Sequence, residues 1–381
     1  MTFKILSLDG GGIRGVLSAT ILKEVEKTLI EKTGQKLHEY FDLVSGTSTG
    51  SILAAGIACQ MEADKMIELY QKSGKDIFLD SVREQRKWRK VSQAVGSHVL
   101  YPHEQGERGL AKVLENQLKK SPLGKKLDKS PTIAGIDKPH ILIPAYDVYS
   151  RNTTWFNNSD PTAWYSNLEL WKICTASASA PTFFPPYELP YNEHQSLPHI
   201  DGGVSANNPA LMAVAHALLI EKQNGLNLSD ITVLSIGTGN TTKVFKYEEI
   251  KGWGQLGWAG NLADMFMSPA AQNSEAICYH ILESAGRDYL RLDFDLNERF
   301  QGKQQPDRLR ESLKEKNPYN EFIFEQKNQK KPVKEDIDNP DNCPELIEAA
   351  ECYLECGQVH YKNQRVLVKK AIEQFIESHS V

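Results

Sequence analysis

The first sixty residues alternate short apolar runs with segments of helical periodicity, which predicts strands followed by helices. The apolar run Phe3 to Leu8 is typical of a strand, and apolar residues recur at helical spacing from Val16 to Lys32. A second short strand, Phe41 to Val44, leads into another helical pattern from Ile52 to Met61. The order strand, helix, strand, helix indicates a parallel α/β unit.

Strand patterns return later in the chain, so we expect the sheet to continue to about residue 295. They cover His140 to Tyr146, Thr153 to Phe156 and Ile231 to Ile236. The polar, helical stretch from about 62 to 138 is expected to be a helical insertion over one end of the sheet.

The C-terminal part of the chain has a different character. Glu325 to Glu345 is polar and is interpreted as a linker or exposed loop. Two amphipathic helices are predicted after it, at roughly Pro344 to Cys356 and Gln358 to Ser378. We therefore expect an α/β domain over residues 1–300, with a central, mostly parallel sheet flanked by helices, and a linker with a helical appendage over residues 301–381.

Composition indicates a soluble globular protein. Hydrophobic residues make up 40% and charged residues 24% of the 381 positions, and the mean hydropathy is -0.45. No apolar stretch is long enough to span a bilayer, and the start lacks the pattern of a secretory signal, so a cytoplasmic location is expected. The net charge of -5 argues against binding a nucleic acid polymer.

Two charged or metal-like patterns have ordinary explanations. The basic run Arg83 to Lys90 could meet anionic headgroups, but such a run on a helix is usually a solvated face. Cys352, Cys356 and His360 are spaced for one helix face, yet paired CxxC motifs are missing from the sequence. We expect neither a metal nor another cofactor.

The best candidate for a nucleophile is Ser48. It lies in Gly46-Thr47-Ser48-Thr49-Gly50, a G-x-S-x-G motif between an apolar strand and a helix. Gly46 and Gly50 allow a sharp turn and close packing of strand and helix. Such a turn would be a nucleophile elbow, which exposes the serine hydroxyl. This placement favours a nucleophilic role over a chance match.

The glycine cluster after the first strand offers backbone donors for an oxyanion. It runs from Asp9 through three consecutive glycines to Arg14 and Gly15. Gly10, Gly12 and Gly15 also fit the G-x-G-x-x-G pattern of dinucleotide sites, but no acidic residue ends the next strand to hold a ribose. The dinucleotide interpretation is the weaker alternative.

Asp201 is the candidate base, because Asp201-Gly202-Gly203 follows an extended segment. A simple Asp-Gly turn is the alternative. A triad would need a histidine after the acid, and none of the candidates has a loop context that recommends it. These candidates are His216, His280, His360 and His379. His199, two residues before Asp201, is kept for a supporting role.

Four blocks in order carry a specific resemblance: GGGxRG at Gly10 to Gly15, GTSTG at Gly46 to Gly50, Ala176 to Pro181, and Asp201 to Gly203 with Asn207 to Pro209. With them, about residues 3 to 290 resemble the patatin-like phospholipase family. The resemblance implies a three-layer sandwich fold. It also implies a serine–aspartate dyad without histidine, in which one side chain attacks an acyl ester and the other takes its proton.

The resemblance further implies which residues do this work and on what substrate. Ser48 would be the nucleophile and Asp201 its base. The oxyanion hole would be formed by Gly10, Gly11, Gly12 and Arg14. The substrate would be a membrane phospholipid, met by transient contact with the membrane surface. Thr182 to Tyr187 and Trp253 to Trp258 are the aromatic runs that could make this contact, with core packing as the alternative.

Three functions stay open at this point, and the first is favoured. In the first, the chain is a general lipid acyl hydrolase of the phospholipase A type that acts in lipid degradation. Alternatively, the same chemistry belongs to an antiphage defence effector that a cyclic dinucleotide activates. The third is a non-enzymatic binding or storage protein, which would not need Ser48. The sequence leaves the oligomeric state open.

Overall fold

One eight-stranded sheet forms the centre of the protein. The computed structural model describes residues 2–92, 99–240, 247–254, 262–296 and 333–380. The strands of the sheet are β1 (Phe3–Leu8), β2 (Leu43–Gly46), β3 (His140–Asp147), β4 (Asn152–Asn157), β5 (Tyr187–Asn192), β6 (Gln195–Asp201), β7 (Ile231–Ile236) and β8 (Tyr289–Leu292).

Five of these strands form a parallel core in the order β3, β2, β1, β7, β8. The remaining strands pair antiparallel: β4 and β6 with β3, and β5 with β6. The predicted fold class, a mostly parallel sheet flanked by helices, is confirmed.

Both faces of the sheet are covered, which explains why the central strands are apolar throughout. Successive residues of β1 enter different cores: Leu6 lies in the same cluster as residues of the helix Gly15–Thr33. Ile5 lies in a second cluster with the helix Ala210–Ile220. The arrangement is therefore a three-layer sandwich of helices, sheet and helices.

Helices occupy most of the remaining described chain. They are Gly15–Thr33, Leu37–Tyr40, Thr49–Ala58, Ala63–Ile77, Asp80–Ser92, Leu110–Lys119, Pro122–Leu127, Leu170–Ser177, Gly203–Ala206, Ala210–Ile220, Tyr247–Ile250, Leu262–Ser284, Cys343–Cys356 and Val368–Ser378. Within the described residues, none is long and apolar enough to cross a membrane. Four of them lie between residues 62 and 138, where the sequence predicts a helical insertion.

The basic run Arg83 to Lys90 lies on one of these four helices, and its first two arginines bind other parts of the chain. Arg83 is buried and its Nη2 lies 3.2 Å from Asp341 Oδ2. Arg86 donates to the carbonyl of Val99 at 3.0 Å. The expected solvated face is therefore wrong for these two residues, and the later side chains of the run lie outside the described part.

The C-terminal residues contain a hairpin that the sequence analysis did not predict. The helix Cys343–Cys356 is present as expected, but the second helix begins only at Val368. Between them, β9 (Gln358–Tyr361) and β10 (Gln364–Leu367) pair antiparallel. Both residues of the connecting turn have positive φ, the conformation of a two-residue hairpin. The expected helix start at Gln358 is wrong for this reason.

The same C-terminal residues pack onto the sheet domain. Both C-terminal helices contact the helix Gly15–Thr33, and the rings of Phe294 and Tyr353 stack with centroids 4.4 Å apart. Of the polar stretch expected as a linker, the described part 333–342 also packs against the domain, and Val333 is buried. An exposed linker is therefore wrong for Val333, Pro340 and Asn342, which are buried, whereas Lys334, Asp336 and Asp341 are exposed.

Candidate active site

Ser48 sits on a tight turn between β2 and the helix Thr49–Ala58. Its backbone has φ 54° and ψ −122°, a strained conformation for a residue with a side chain. A Cβ on Gly46 would lie 2.1 Å from the Gly50 carbonyl oxygen, and one on Gly50 would lie 2.2 Å from the Leu8 carbonyl oxygen. Glycine is therefore required on both sides of the turn, and the predicted elbow geometry is present.

The strand order brings Asp201 to this turn. β2 pairs with residues 140–142 of β3, and β6 pairs with residues 145–147 from the opposite direction. The far edge of β3 is taken by β4, so β2 and β6 lie on one edge and their ends meet. Ser48 Oγ donates to Asp201 Oδ2 at 2.6 Å.

The surroundings of Asp201 change its acidity. The residue is 2% exposed, and burial raises its pKa to about 6, against the lowering effect of hydrogen bonds from Ser48 and from the Gly203 N–H. The Gly203 bond is 2.7 Å long and ends on Oδ1. The carboxylate is thus a stronger base than an exposed aspartate and is still ionised at neutral pH.

The segment Ala176 to Pro181 holds both members of the pair. Ser177 Oγ accepts from the Ser48 N–H at 3.0 Å and donates to the Pro144 carbonyl at 2.7 Å. The Ser179 carbonyl accepts from the Asp201 N–H at 3.1 Å. The sequence analysis found this segment but assigned it no role, because alternating serines and alanines have no distinctive chemistry by themselves.

The glycine-rich loop lies beside Ser48. The point that a Cβ would occupy on Gly10 is 3.2 Å from Ser48 Cβ. The Gly10 N–H donates to the Asn207 carbonyl at 3.0 Å. In the described part of the chain, the N–H groups of Gly11 and Gly12 donate to no backbone carbonyl. Among the described residues, these two N–H groups of the loop thus keep no backbone acceptor.

Arg14, the fourth predicted oxyanion residue, lies in the same turn. Its backbone N–H donates to the Gly11 carbonyl at 3.2 Å, which closes the short 3-10 turn Gly12–Arg14. This bond gives Arg14 a part in shaping the loop.

A buried ion pair fixes the residue just before the glycines, and the sequence analysis missed it. Arg291 donates to both carboxylate oxygens of Asp9, at 2.9 and 2.6 Å, and to Asp293 at 2.9 Å. Burial raises the pKa of Asp9 to about 6, against the lowering effect of Arg291. The signal that the sequence offers for this ion pair is an arginine between two leucines in the segment that forms β8.

The histidines that a triad would need lie elsewhere. Within the described residues, no histidine forms a hydrogen bond with Ser48 or Asp201. His199 Nε2 lies 3.1 Å from Thr154 Oγ1, and His379 Nε2 lies 2.9 Å from Asp288 Oδ2. His216 is buried, and His280 and His360 are exposed. Nor do the described residues contain a cluster of three potential metal ligands.

Of the two aromatic runs predicted to contact a membrane, the structure describes the first completely and the second only in part. In Thr182 to Tyr187, Phe184 is 5% exposed and its ring lies 5.7 Å from that of Tyr101, so it belongs to the core. In Trp253 to Trp258, the residues after Gly254 lie outside the described part. Val204, which follows Asp201-Gly202-Gly203, is 45% exposed.

Fold and site together define a three-layer α/β protein with a buried serine–aspartate pair beside a glycine-rich loop. A family model described as "Patatin-like phospholipase" matches residues 6–214. The chain belongs to this family, which supports lipid hydrolysis as its activity. The family assignment also agrees with the resemblance found in the sequence motifs.

Individual relatives support the same assignment. Patatin-like protein 2 of Oryza sativa is 29% identical over 328 residues, covering 76% of each chain. Patatin-like protein 1 of Arabidopsis thaliana is 30% identical over 330 residues, covering 76% of this chain and 74% of the relative. A third relative, "Probable inactive patatin-3-Kuras 1" of Solanum tuberosum, is 28% identical over 286 residues, covering 68% and 70%.

Solved structures give only a distant likeness. VipD from Legionella pneumophila has a TM-score of 0.35 and 14% identity, covering 64% of this chain and 51% of that one. ExoU in its complex with SpcU from Pseudomonas aeruginosa has a TM-score of 0.34 and 13% identity, covering 74% and 52%. The chain thus spans about half the length of these proteins.

Proposed function

We propose that the protein is a lipid acyl hydrolase of the phospholipase A type, with Ser48 as nucleophile and Asp201 as general base. The observation that carries the proposal is the hydrogen bond of 2.6 Å from Ser48 Oγ to Asp201 Oδ2. The strained turn at Ser48 and membership of the patatin-like phospholipase family support it.

Acylation begins when ionised Asp201 takes the proton of Ser48 Oγ, which attacks the acyl carbonyl carbon of the lipid. The carbonyl oxygen becomes negatively charged and accepts from the N–H groups of Gly11 and Gly12. Collapse of this intermediate breaks the ester bond, and the leaving alcohol receives the proton from Asp201. A fatty acyl ester on Ser48 and a lysolipid result.

Deacylation repeats these steps with water. Asp201 takes a proton from water as the water attacks the acyl ester, and it returns the proton to Ser48 Oγ when the ester breaks. A carboxylate with a pKa of about 6 suits both steps, because it is ionised at neutral pH and still binds a proton more readily than an exposed aspartate. The released product is a fatty acid.

The substrate is a membrane phospholipid, and contact with the membrane is transient in this proposal. We infer a cytoplasmic location with peripheral contact to the membrane. The exposed side chain of Val204, which follows Gly203 in the chain, is suited to apolar contact with lipid. Arg14 is assigned to the loop that binds the oxyanion, with a lipid phosphate as its further partner.

The test uses mixed phospholipid vesicles and mass spectrometry of the products. Wild-type protein should release fatty acid and lysolipid, and Ser48→Ala and Asp201→Asn should each lower the rate at least ~10³-fold, because the two act as a unit. Asp147→Asn is the matched control, since it removes a buried carboxylate on neighbouring β3, and its rate should stay near wild type. His280→Ala should likewise cost little.

The outcomes separate the alternatives. Retained hydrolysis in Ser48→Ala or Asp201→Asn refutes the dyad. Hydrolysis that occurs only after a cyclic dinucleotide is added selects the effector. Because one relative carries a name that describes it as inactive, wild-type protein without any hydrolysis would select the binding or storage alternative.

A further inference from the structure

Residues 333–342, which we call the C-terminal strap, lie directly on the glycine-rich loop. The Ile337 carbonyl accepts from the Ile13 N–H at 2.8 Å. A Cβ placed on Gly12 would lie 2.4 Å from the Ile337 carbonyl oxygen and 3.0 Å from Ile337 Cβ. The strap therefore touches the loop at the residue that offers an oxyanion donor and at the residue after it.

Charged contacts attach the strap to the helical part of the chain on both sides of Pro340. Asp338 Oδ2 accepts from the Tyr101 hydroxyl at 3.0 Å and lies 3.6 Å from Arg86 Nε. Asp341 lies 2.8 Å from Lys75 Nζ. These anchors fix the strap immediately after Ile337, the residue that touches the loop.

Arg86, which contacts Asp338 of the strap, also contacts the turn at Thr182 and Phe183. Its Nη1 donates to the Thr182 carbonyl at 2.5 Å, and its guanidinium lies 4.6 Å from the centre of the Phe183 ring. This turn begins three residues after Ser179, whose carbonyl holds the Asp201 N–H. The guanidinium of Arg86 thus contacts both the strap and the turn that follows Ser179.

The hydrogen bond to Ile337 fixes the orientation of a peptide in the loop. The Ile13 N–H and the Gly12 carbonyl belong to one planar group and point in opposite directions. If this peptide flipped, the Gly12 carbonyl oxygen would face the Ile337 carbonyl oxygen, and the two would repel. The Gly15 N–H holds the other end of this peptide by donating to the Gly12 carbonyl. Since consecutive glycines restrict backbone rotation little, the contact with Ile337 adds to what keeps the neighbouring donors aimed.

We propose that Ile337 is a positioning residue for the oxyanion hole. It acts through Ile13 and Gly12 and touches neither the substrate nor Ser48. The inference rests on the proposed function, because it assigns the Gly11 and Gly12 N–H groups to the oxyanion. It gives the C-terminal part of the chain an indirect role in the chemistry, through the glycine-rich loop.

The experiment compares Arg86→Ala with Asp338→Ala, which each remove one partner of the anchor beside Ile337, using p-nitrophenyl butyrate as a soluble ester. Active-site titration with a fluorophosphonate that labels Ser48 counts competent sites, so loss of folded protein lowers the site number and not kcat per site. Hydrogen exchange of the Ile13 amide measures the contact itself, without any need for activity. The control is Asp336→Asn, an exposed carboxylate of the same strap.

Both alanine variants should lower kcat per titrated site about tenfold, with KM within about twofold. The loss is smaller than the ~10²- to 10³-fold cost of removing a donor, because the variants loosen the loop and remove no donor. Exchange of the Ile13 amide should be at least about tenfold faster. Ile337→Val keeps the carbonyl that accepts from the Ile13 N–H, so it should match wild type, and so should Asp336→Asn.

Two results would overturn the inference. One is kcat per site within about twofold of wild type in both alanine variants, and the other is an equal loss in Asp336→Asn. A wild-type protein that neither hydrolyses the ester nor is labelled at Ser48 overturns the proposed function itself, and this inference with it. In that case, hydrogen exchange of the Ile13 amide, compared between wild type and the alanine variants, would still show whether the strap contact is present.

Discussion

Replacing Asp201 with asparagine should stabilise the protein at neutral pH while abolishing hydrolysis. Asparagine has the same shape, and its amide can keep both existing contacts: the oxygen accepts from the Gly203 N–H, and the NH₂ group donates to Ser48 Oγ, whose proton rotates away. The substitution thus removes one buried negative charge and little else. Its effect on stability measures what it costs to bury the proposed base.

The magnitude follows from the pKa of the carboxyl group. Burial raises it from 3.8 to about 6, and at about 1.4 kcal/mol per pKa unit this corresponds to about 3 kcal/mol. Because the folded pKa lies above the unfolded one, the folded state binds the proton more tightly. Wild-type protein therefore loses stability as pH rises from about 4 to about 6, whereas Asp201→Asn lacks this loss.

The assay is urea unfolding of wild type and Asp201→Asn at a series of pH values. Between pH 4.5 and 7.5, the free energy of unfolding of the variant relative to wild type should rise by about 2 kcal/mol, the part of the linkage that falls in this window. Other titrating groups, including Asp9, are common to both proteins and cancel in the difference.

Asp160→Asn provides the control of opposite sign. Asp160 is exposed, and its pKa is lowered by hydrogen bonds from Thr162, so wild type gains stability from it as pH rises. That gain is complete near pH 4, so the relative stability of this variant should fall only at the acid end of the series and stay nearly constant from pH 4.5 to 7.5. A difference between Asp201→Asn and wild type that does not change with pH would refute the claim that burial makes Asp201 a stronger base.

Two further predictions concern how the glycine-rich loop is held. Arg291→Met should lower the free energy of unfolding in urea by about 3 to 5 kcal/mol, because it leaves the buried carboxylate of Asp9 without its cation; an unchanged midpoint would contradict this. Gly12→Ala should lower the melting temperature more than Gly34→Ala does. Both glycines have positive φ, but only a Cβ on Gly12 meets other atoms, so equal shifts would show that the close approach is unimportant.

The sequence predicted the sheet and pointed to Ser48 and Asp201 because both depend on local patterns. Apolar runs between helical segments identified five of the eight strands, β1, β2, β3, β4 and β7, and flanking glycines singled out Ser48 and Asp201. The contacts that orient this pair were not predictable, since they join residues far apart in the chain. Arg291 reaches Asp9 across 282 positions, and the serine block around Ser177 has no pattern that indicates its bonds.

The C-terminal errors have a related cause. Residues of the strap are polar and were interpreted as linker, because composition does not reveal that Asp338 has Arg86 and Tyr101 as partners. The hairpin before Val368 was assigned to a helix because each of its strands has only four residues. A pattern of alternating residues needs more positions than this to stand out from helical spacing.

Two buried carboxylates next to the loop illustrate why only one of them is suited to be the base. Burial raises the pKa of both Asp9 and Asp201 to about 6. The charge of Asp9 is matched by Arg291, which donates to both of its oxygens, and among the described residues no hydroxyl donates to it. Asp201 instead has neutral partners, and one of them is the serine hydroxyl. The two carboxylates are therefore similar in basicity, and Asp201 differs in having a serine hydroxyl placed to give it a proton.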